Sequence, residues 1–278
     1  MKKLIVFKKF LESYDKENKL LKYLTESEIE KLKSLPSFAK KLENNKFIKE
    51  SIIDTVHYSW FIPLLNIYSD EEASLFLLAL KPSYRKSLLN LLNLKETKDE
   101  IHPTLIAFLK EILLRSLMKK EDALLPINCL FDSKLNILLT LGKNKLIKLI
   151  DLLSIYDLAK ELKYIVEKKK LKKIFSYLKN HEKDFLKTIL HYQEPFSTQR
   201  INIEQYSDEK TKFRNLLHRC GLLRLSIALS GESIDLIWYV CHYLDIGRGN
   251  YIFKECKTKK IANISKTITE QILQIINF

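Results

Sequence analysis

The chain has 278 residues, 48 Lys and Arg against 34 Asp and Glu, a formal charge of +14, 46% hydrophobic residues, five Gly, six Pro and four Cys. That is enough chain to bury sizeable cores, but so few turn formers exclude an all-β fold, and the abundance of Leu, Lys, Ile and Glu favours helix. The charge rests on 41 Lys and only seven Arg. Arg is the residue that reads phosphates and base edges bidentately, so the basic balance reads first as a solvated lysine surface, with a basic nucleic-acid-binding protein as the alternative.

At the N-terminus the apolar run Leu4 to Phe7 stops at Lys8 and Lys9, short of the ~7–15 residues of a signal-peptide core. Capping boxes, in which a Ser or Thr accepts from the third helical N–H and an acid reaches back, are written at Thr25 to Glu28, Ser69 to Glu72, Thr97 to Glu100 and Ser154 to Asp157. Apolar residues follow at helical spacing, for example Leu105, Phe108, Leu109, Ile112 and Leu113. The polar stretch at 95–99 and the aperiodic segment 194–207 divide the chain into helical blocks of roughly 1–97, 98–195 and 196–278. The expected fold is all-α, a series of short helical hairpins compatible with armadillo-like right-handed stacking. It ends in a compact C-terminal bundle whose core is Leu222, Leu225, Ala228, Leu229, Leu236, Val240 and Leu244.

Two aromatic clusters stand out, His57-Tyr-Ser-Trp-Phe-Ile-Pro63 and Trp238-Tyr-Val-Cys-His-Tyr243. A helix apolar nearly all round is either deeply buried or a docking surface, which makes Tyr58, Trp60, Phe61, Trp238 and Tyr239 candidates for partner binding. The densest basic stretch, Glu167 to Lys173, reads as a charged turn between helices, with Lys168, Lys169 and Lys172 as candidate contacts to an acidic partner.

Chemistry is hard to find. His218, Cys220, Cys241 and His242 supply zinc-type ligands in number, but Cys241 and His242 are adjacent on one helix and point apart. No nucleophile sits in a recognisable Gly turn, and Gly247-Arg-Gly249 reads as a helix C-cap and turn. The reading is a protein that is not an enzyme, with no catalytic residue, cofactor or metal. The apolar stretch Ile234 to Leu244 is bounded by Asp235 and Asp245, far short of about 18 uncharged residues needed to span a bilayer. The four Cys lack C-x-x-C spacing and read as reduced thiols of a cytoplasmic protein.

One family resemblance adds to this. His102-Pro-Thr-Leu-Ile-Ala-Phe-Leu109 resembles the opening of the middle domain of the flagellar rotor switch protein family, FliG, with its His-Pro pair and following Ile-Ala. Leu222 to Leu236 is similar to that family's C-terminal pattern of an apolar helix, small residues, a cap and a second helix, and Leu75-Phe-Leu-Leu-Ala-Leu-Lys-Pro82 has the same character. The family's Gly-Gly hinge is absent, and Trp238, Tyr239 and Tyr243 stand where its torque helix carries alternating charges. The resemblance therefore implies a stacked-helix scaffold rather than a motor. It would assemble with ring components of a bacterial flagellar or type III secretion apparatus, or with itself, and touch a membrane only peripherally through that complex. His102 and Pro103 are its candidate contact residues.

Overall fold

Wherever apolar residues recur at three and four, the chain winds into helix. The computed structural model describes residues 2–15, 19–36, 38, 51–95, 101–118, 124–194, 201–206, 208–258 and 262–278. Helix takes 77% of them, and among them no strand forms, Phe38 and Phe131 meeting in an isolated antiparallel bridge. In chain order the helices are α1 (Lys2–Tyr14), α2 (Glu26–Ser34), α3 (Ile52–Thr55), α4 (Ile62–Leu65), α5 (Asp70–Leu78), α6 (Pro82–Leu92), α7 (Pro103–Leu117), α8 (Lys143–Leu162), α9 (Lys168–Tyr177), α10 (Asn180–Ile189), α11 (Lys210–Leu229), α12 (Ile234–Tyr243), α13 (Ile246–Thr258) and α14 (Ala262–Asn277).

Two of the four capping boxes start helices as written. Thr25 and Ser69 each accept from the N–H three residues on, and Glu28 and Glu72 take the cap N–H groups at 2.9 and 3.0 Å. Those backbone bonds hold both glutamates below the usual carboxylate range. The box at Thr97 lies outside the described residues. The one at Ser154 is overturned: Ser154 sits in the middle of α8 and its hydroxyl donates back to the Asp151 carbonyl at 2.6 Å. Such a back-bond lets the helix run on, so α8 is 20 residues long, as is α11, both longer than the short segments expected.

The chain groups into two compact units, 1–140 with 233–249 and 141–232 with 250–278. The expected block boundaries near 97 and 195 fall outside the described residues. The last block is shared between the units: Leu222, Leu225, Ala228 and Leu229 belong to one core, and Leu236, Val240 and Leu244 to the other. All seven are buried, but not as one bundle, because the chain changes unit after Glu232.

In the first unit the returning segment 233–249 is clasped by side chains from early in the chain. The His242 ring lies between two indoles, its centroid 4.1 Å from that of Trp60 and 3.9 Å from that of Trp238. Trp60 Nε1 donates to the Leu244 carbonyl at 2.9 Å, and the His57 N–H to the His242 carbonyl at 2.8 Å. Tyr239 donates its hydroxyl to the Leu125 carbonyl at 2.8 Å, while Asp235 accepts from Lys2 and from the Leu125 N–H. Gly249 presses its bare Cα against the Trp60 ring and the Cys241 carbonyl, space a Cβ would need.

In the second unit α8 is buried on nearly every side and packs chiefly on α11, with α10 and α14 alongside. Gly221 permits the close crossing, since a Cβ there would collide with the Ile150 carbonyl. Where α8 and α11 meet, Arg224 is 3% exposed and grips Asp157 with two bonds of 2.8 and 2.6 Å. Its guanidinium also takes Glu194 at 2.5 and 3.0 Å and the Gln271 carbonyl oxygen at 3.0 Å. Burial works against its charge, but the two carboxylates more than offset this and raise its affinity for its proton. Ten residues back along α11, Arg214 bonds Glu182 at 2.7 and 2.8 Å and His218 meets Asp151 at 2.7 Å. Burial pushes the Asp151 carboxyl up, yet His218, Arg214 and Lys179 together leave it below its ordinary value.

These arrangements give two measurable expectations. Replacing Arg224 by Met strands two buried carboxylates and should cost about 3–5 kcal/mol in urea denaturation. Adding Asp157→Leu and Glu194→Met should recover much of that loss, and a triple variant no more stable than the single one would contradict the account. The second concerns His242, whose imidazole burial pushes down from 6.5 to about 4, its hydrogen bond to the Trp238 carbonyl acting weakly the other way. Between those values the unfolded chain binds the proton and the folded one does not, so stability falls as pH drops through this window, by up to about 3 kcal/mol. The chain's two Trp both flank that ring, so unfolding followed by tryptophan fluorescence reads it directly. A His242→Phe variant should lose the dependence; an unchanged slope would refute it.

Candidate interaction surfaces

The structure sorts the sequence candidates by what they leave exposed. Phe61 is completely buried and Trp60 nearly so, because the 3-10 turn at Tyr58–Trp60, capped by His57, turns both rings inward. Tyr239 is buried on Leu125. These three are core and cannot meet a partner as a surface. Tyr58, against His57 and Tyr84, and Trp238, on His242, are half-buried. The two clusters that the sequence offers for docking are mostly a single internal contact, Trp60 and Trp238 brought together across His242.

The polar candidates for chemistry are likewise absorbed into packing. His218 is held by Asp151, and His242 by its two indoles. Among the described residues no group of three or more His, Cys, Asp or Glu is placed to hold a metal ion. Burial pushes the thiols of Cys220 and Cys256 up to about 12 and raises that of Cys129, the opposite of an activated nucleophile. Gly247-Arg-Gly249 forms the first turn of α13 rather than a helix C-cap, with Arg248 paired to Asp245.

All six described arginines are engaged within the protein. Arg85 donates to the Leu77 and Leu78 carbonyls, Arg115 to Glu111, Arg214 to Glu182 and Arg248 to Asp245; Arg219 lies over the Tyr251 ring and Arg224 is buried. The exposed positive charge is therefore mostly lysine, with Arg115 and Arg219 also at the surface.

Two of the surfaces that remain carry sequence candidates. Helix α7 is capped by His102, whose Nδ1 accepts the Thr104 N–H at 3.3 Å, and Pro103 opens its first turn; both are exposed. Leu109 and Leu113 anchor it, while Leu105, Phe108 and Ile112 line up at three and four on another face. Phe108 is 61% exposed. The sequence signal for this surface is an excess: α7 carries more large apolar residues than one buried stripe can use.

The second surface follows α8. The run Glu167 to Lys173 is not a turn: from Lys168 onward it forms the first half of α9, and only Ile174 of that helix is fully buried. Lys168, Lys169 and Lys172 are exposed, and Lys168, Lys172 and Phe175 share a stripe at four and seven. Just before them Val166 is 92% exposed and Tyr164 50%. Neither stands out in sequence, because the apolar run ending α8 reads as continuous core.

Among the described residues no helix is long and apolar enough to cross a membrane. No protein-family model matches this chain, and no curated protein or solved structure does either.

Proposed function

We propose that this chain is a non-enzymatic helical scaffold resembling the flagellar rotor switch family, which docks on ring components of a bacterial flagellar or type III secretion apparatus. The observation that carries the reading is the outward stripe of α7, where Phe108 stands mostly exposed in line with Leu105 and Ile112. That stripe grows out of the same His102-Pro103 word on which the resemblance rests. An exposed apolar stripe on a well-anchored helix suits a groove on a partner or an apolar helix laid along it. The buried thiols and the packed rings of His218 and His242 agree with a protein that binds rather than reacts. A nucleic-acid role finds support chiefly in lysine charge, since four of the six described arginines are buried or half-buried on internal partners.

The test is affinity purification from a host carrying the secretion apparatus, with eluted ring proteins identified by mass spectrometry. Ring components should enrich with the native chain and fall at least about tenfold with Phe108→Ser, the loss expected for one buried aromatic contact. Helix content and denaturation midpoint should stay nearly unchanged, because Phe108 has little burial to lose. Native-chain eluates free of ring components would rule the reading out.

A further inference from the structure

The segment following α8 combines two features that the fold does not account for. Val166, the most exposed of the large hydrophobics among the described residues, places an aliphatic side chain in water beside Ile165, which is turned into the core. Residues 163–175 then hold six Lys and one Glu. Lys170 pairs with Glu167 and Lys173 with Asp208, but among the described residues no acid lies within ion-pair distance of Lys163, Lys168, Lys169 or Lys172. The first turn of α9 holds lysines and no acid, which works against the helix dipole instead of with it. Neither the aliphatic tip nor these four lysines are packed or paired within the unit that displays them.

We propose that Tyr164, Val166 and the outward lysines of α9 form a binding face for an anionic lipid bilayer. The combination fits that surface and no simpler one. Lysines act as point charges on lipid phosphates and carboxylates, with stems long enough to lie along the interface. A half-exposed Tyr suits the headgroup level, and Val166 enters the acyl boundary, where its exposure in water becomes burial. Phe175, 37% exposed on the stripe of Lys168 and Lys172, extends the apolar contribution along α9. A nucleic acid would use the lysines but has nothing for an aliphatic tip, and the segment has no Arg for bidentate contacts. This face belongs to the second unit and α7 to the first, and the proposal stands or falls independently of the docking reading.

The experiment is co-sedimentation of the full chain with vesicles of equal parts phosphatidylserine and phosphatidylcholine, against pure phosphatidylcholine vesicles, at low and high salt. Binding should appear only on the anionic vesicles and weaken with salt. Lys168→Gln, Lys169→Gln and Lys172→Gln together should lower the partition coefficient roughly a hundredfold, at about fivefold per lysine. Val166→Ser should lower it roughly fivefold while leaving affinity for a single-stranded oligonucleotide unchanged. All four side chains are exposed, so circular dichroism and thermal midpoint should match the native chain and show that the losses are not unfolding. No binding to anionic vesicles at low salt would overturn the proposal. So would a Val166→Ser variant that sediments like the native chain, or an oligonucleotide bound more tightly than the anionic vesicles, which would assign the lysines to nucleic acid.

Discussion

A guanidinium buried at a helix crossing is tolerable only if its neighbours are fixed, and in the second unit Arg224 imposes that condition on everything around it. Removing such an ion from water costs several kcal/mol even after relaxation, so Asp157 on α8 must be there to meet it, and Glu194 must reach in from beyond α10. Gln271 of α14 closes the ring by donating to Glu194 at 2.8 Å. Four chain segments are thus tied at one point by bonds that work only in one register. The apolar packing of α8 and α11 supplies most of the stabilisation, and the close approach of Gly221 to the Ile150 carbonyl already fixes where they cross. The Arg224 network holds the same register, and the Arg214 and His218 contacts elsewhere on α11 repeat the constraint.

The first unit meets a different difficulty with different chemistry. Its members are far apart in sequence, and the closing segment 233–249 returns after residues 141–232 of the other unit. Short helices such as α3 and α4, four residues each, have almost no intrinsic stability. They are held by what lands on them, namely the Trp60, His242 and Trp238 stack and the bonds from Trp60 and His57 to backbone carbonyls of that segment. Burial disfavours the charged form of His242, which ties this closure to pH in a way that an aliphatic core would not be.

How much of this is legible in sequence depends on the range of the interaction. The all-α class and the boxes at Thr25 and Ser69 rest on contacts within four residues, which periodicity and caps display directly. Ser154 shows the limit of such local reading: the same four-letter pattern sits inside α8, because a helix buried on all sides does not stop for a serine. The partition of the chain depends on contacts such as Trp60 with Leu244, separated by 184 positions, and nothing local marks them. The aromatic clusters are conspicuous in sequence but mostly not surfaces, since a string of aromatics is equally the signature of a docking face and of a closure. Phe108 and Val166 are inconspicuous for the converse reason, that an apolar residue in an apolar run reads as core until its neighbours in space are known.

The division of the cations follows from the same physics and bears on function. Arginine, with a planar fork that satisfies several acceptors at once, is worth burying or half-burying where carboxylates and carbonyls converge, and Arg85, Arg214, Arg224 and Arg248 are found in such places. Lysine, strongly hydrated and long-stemmed, is mostly left to the surface. The chain, with seven Arg and 41 Lys, thus commits most of its described arginines to its own fold and meets the outside chiefly with point charges. Such a surface recognises a charge density more readily than a pattern of bases. The places where specificity can arise are those where lysine is joined by exposed apolar side chains, as around Val166, or where apolar side chains stand out alone, as on α7. Those two surfaces, and not the net charge, distinguish this molecule from a generic basic helical protein.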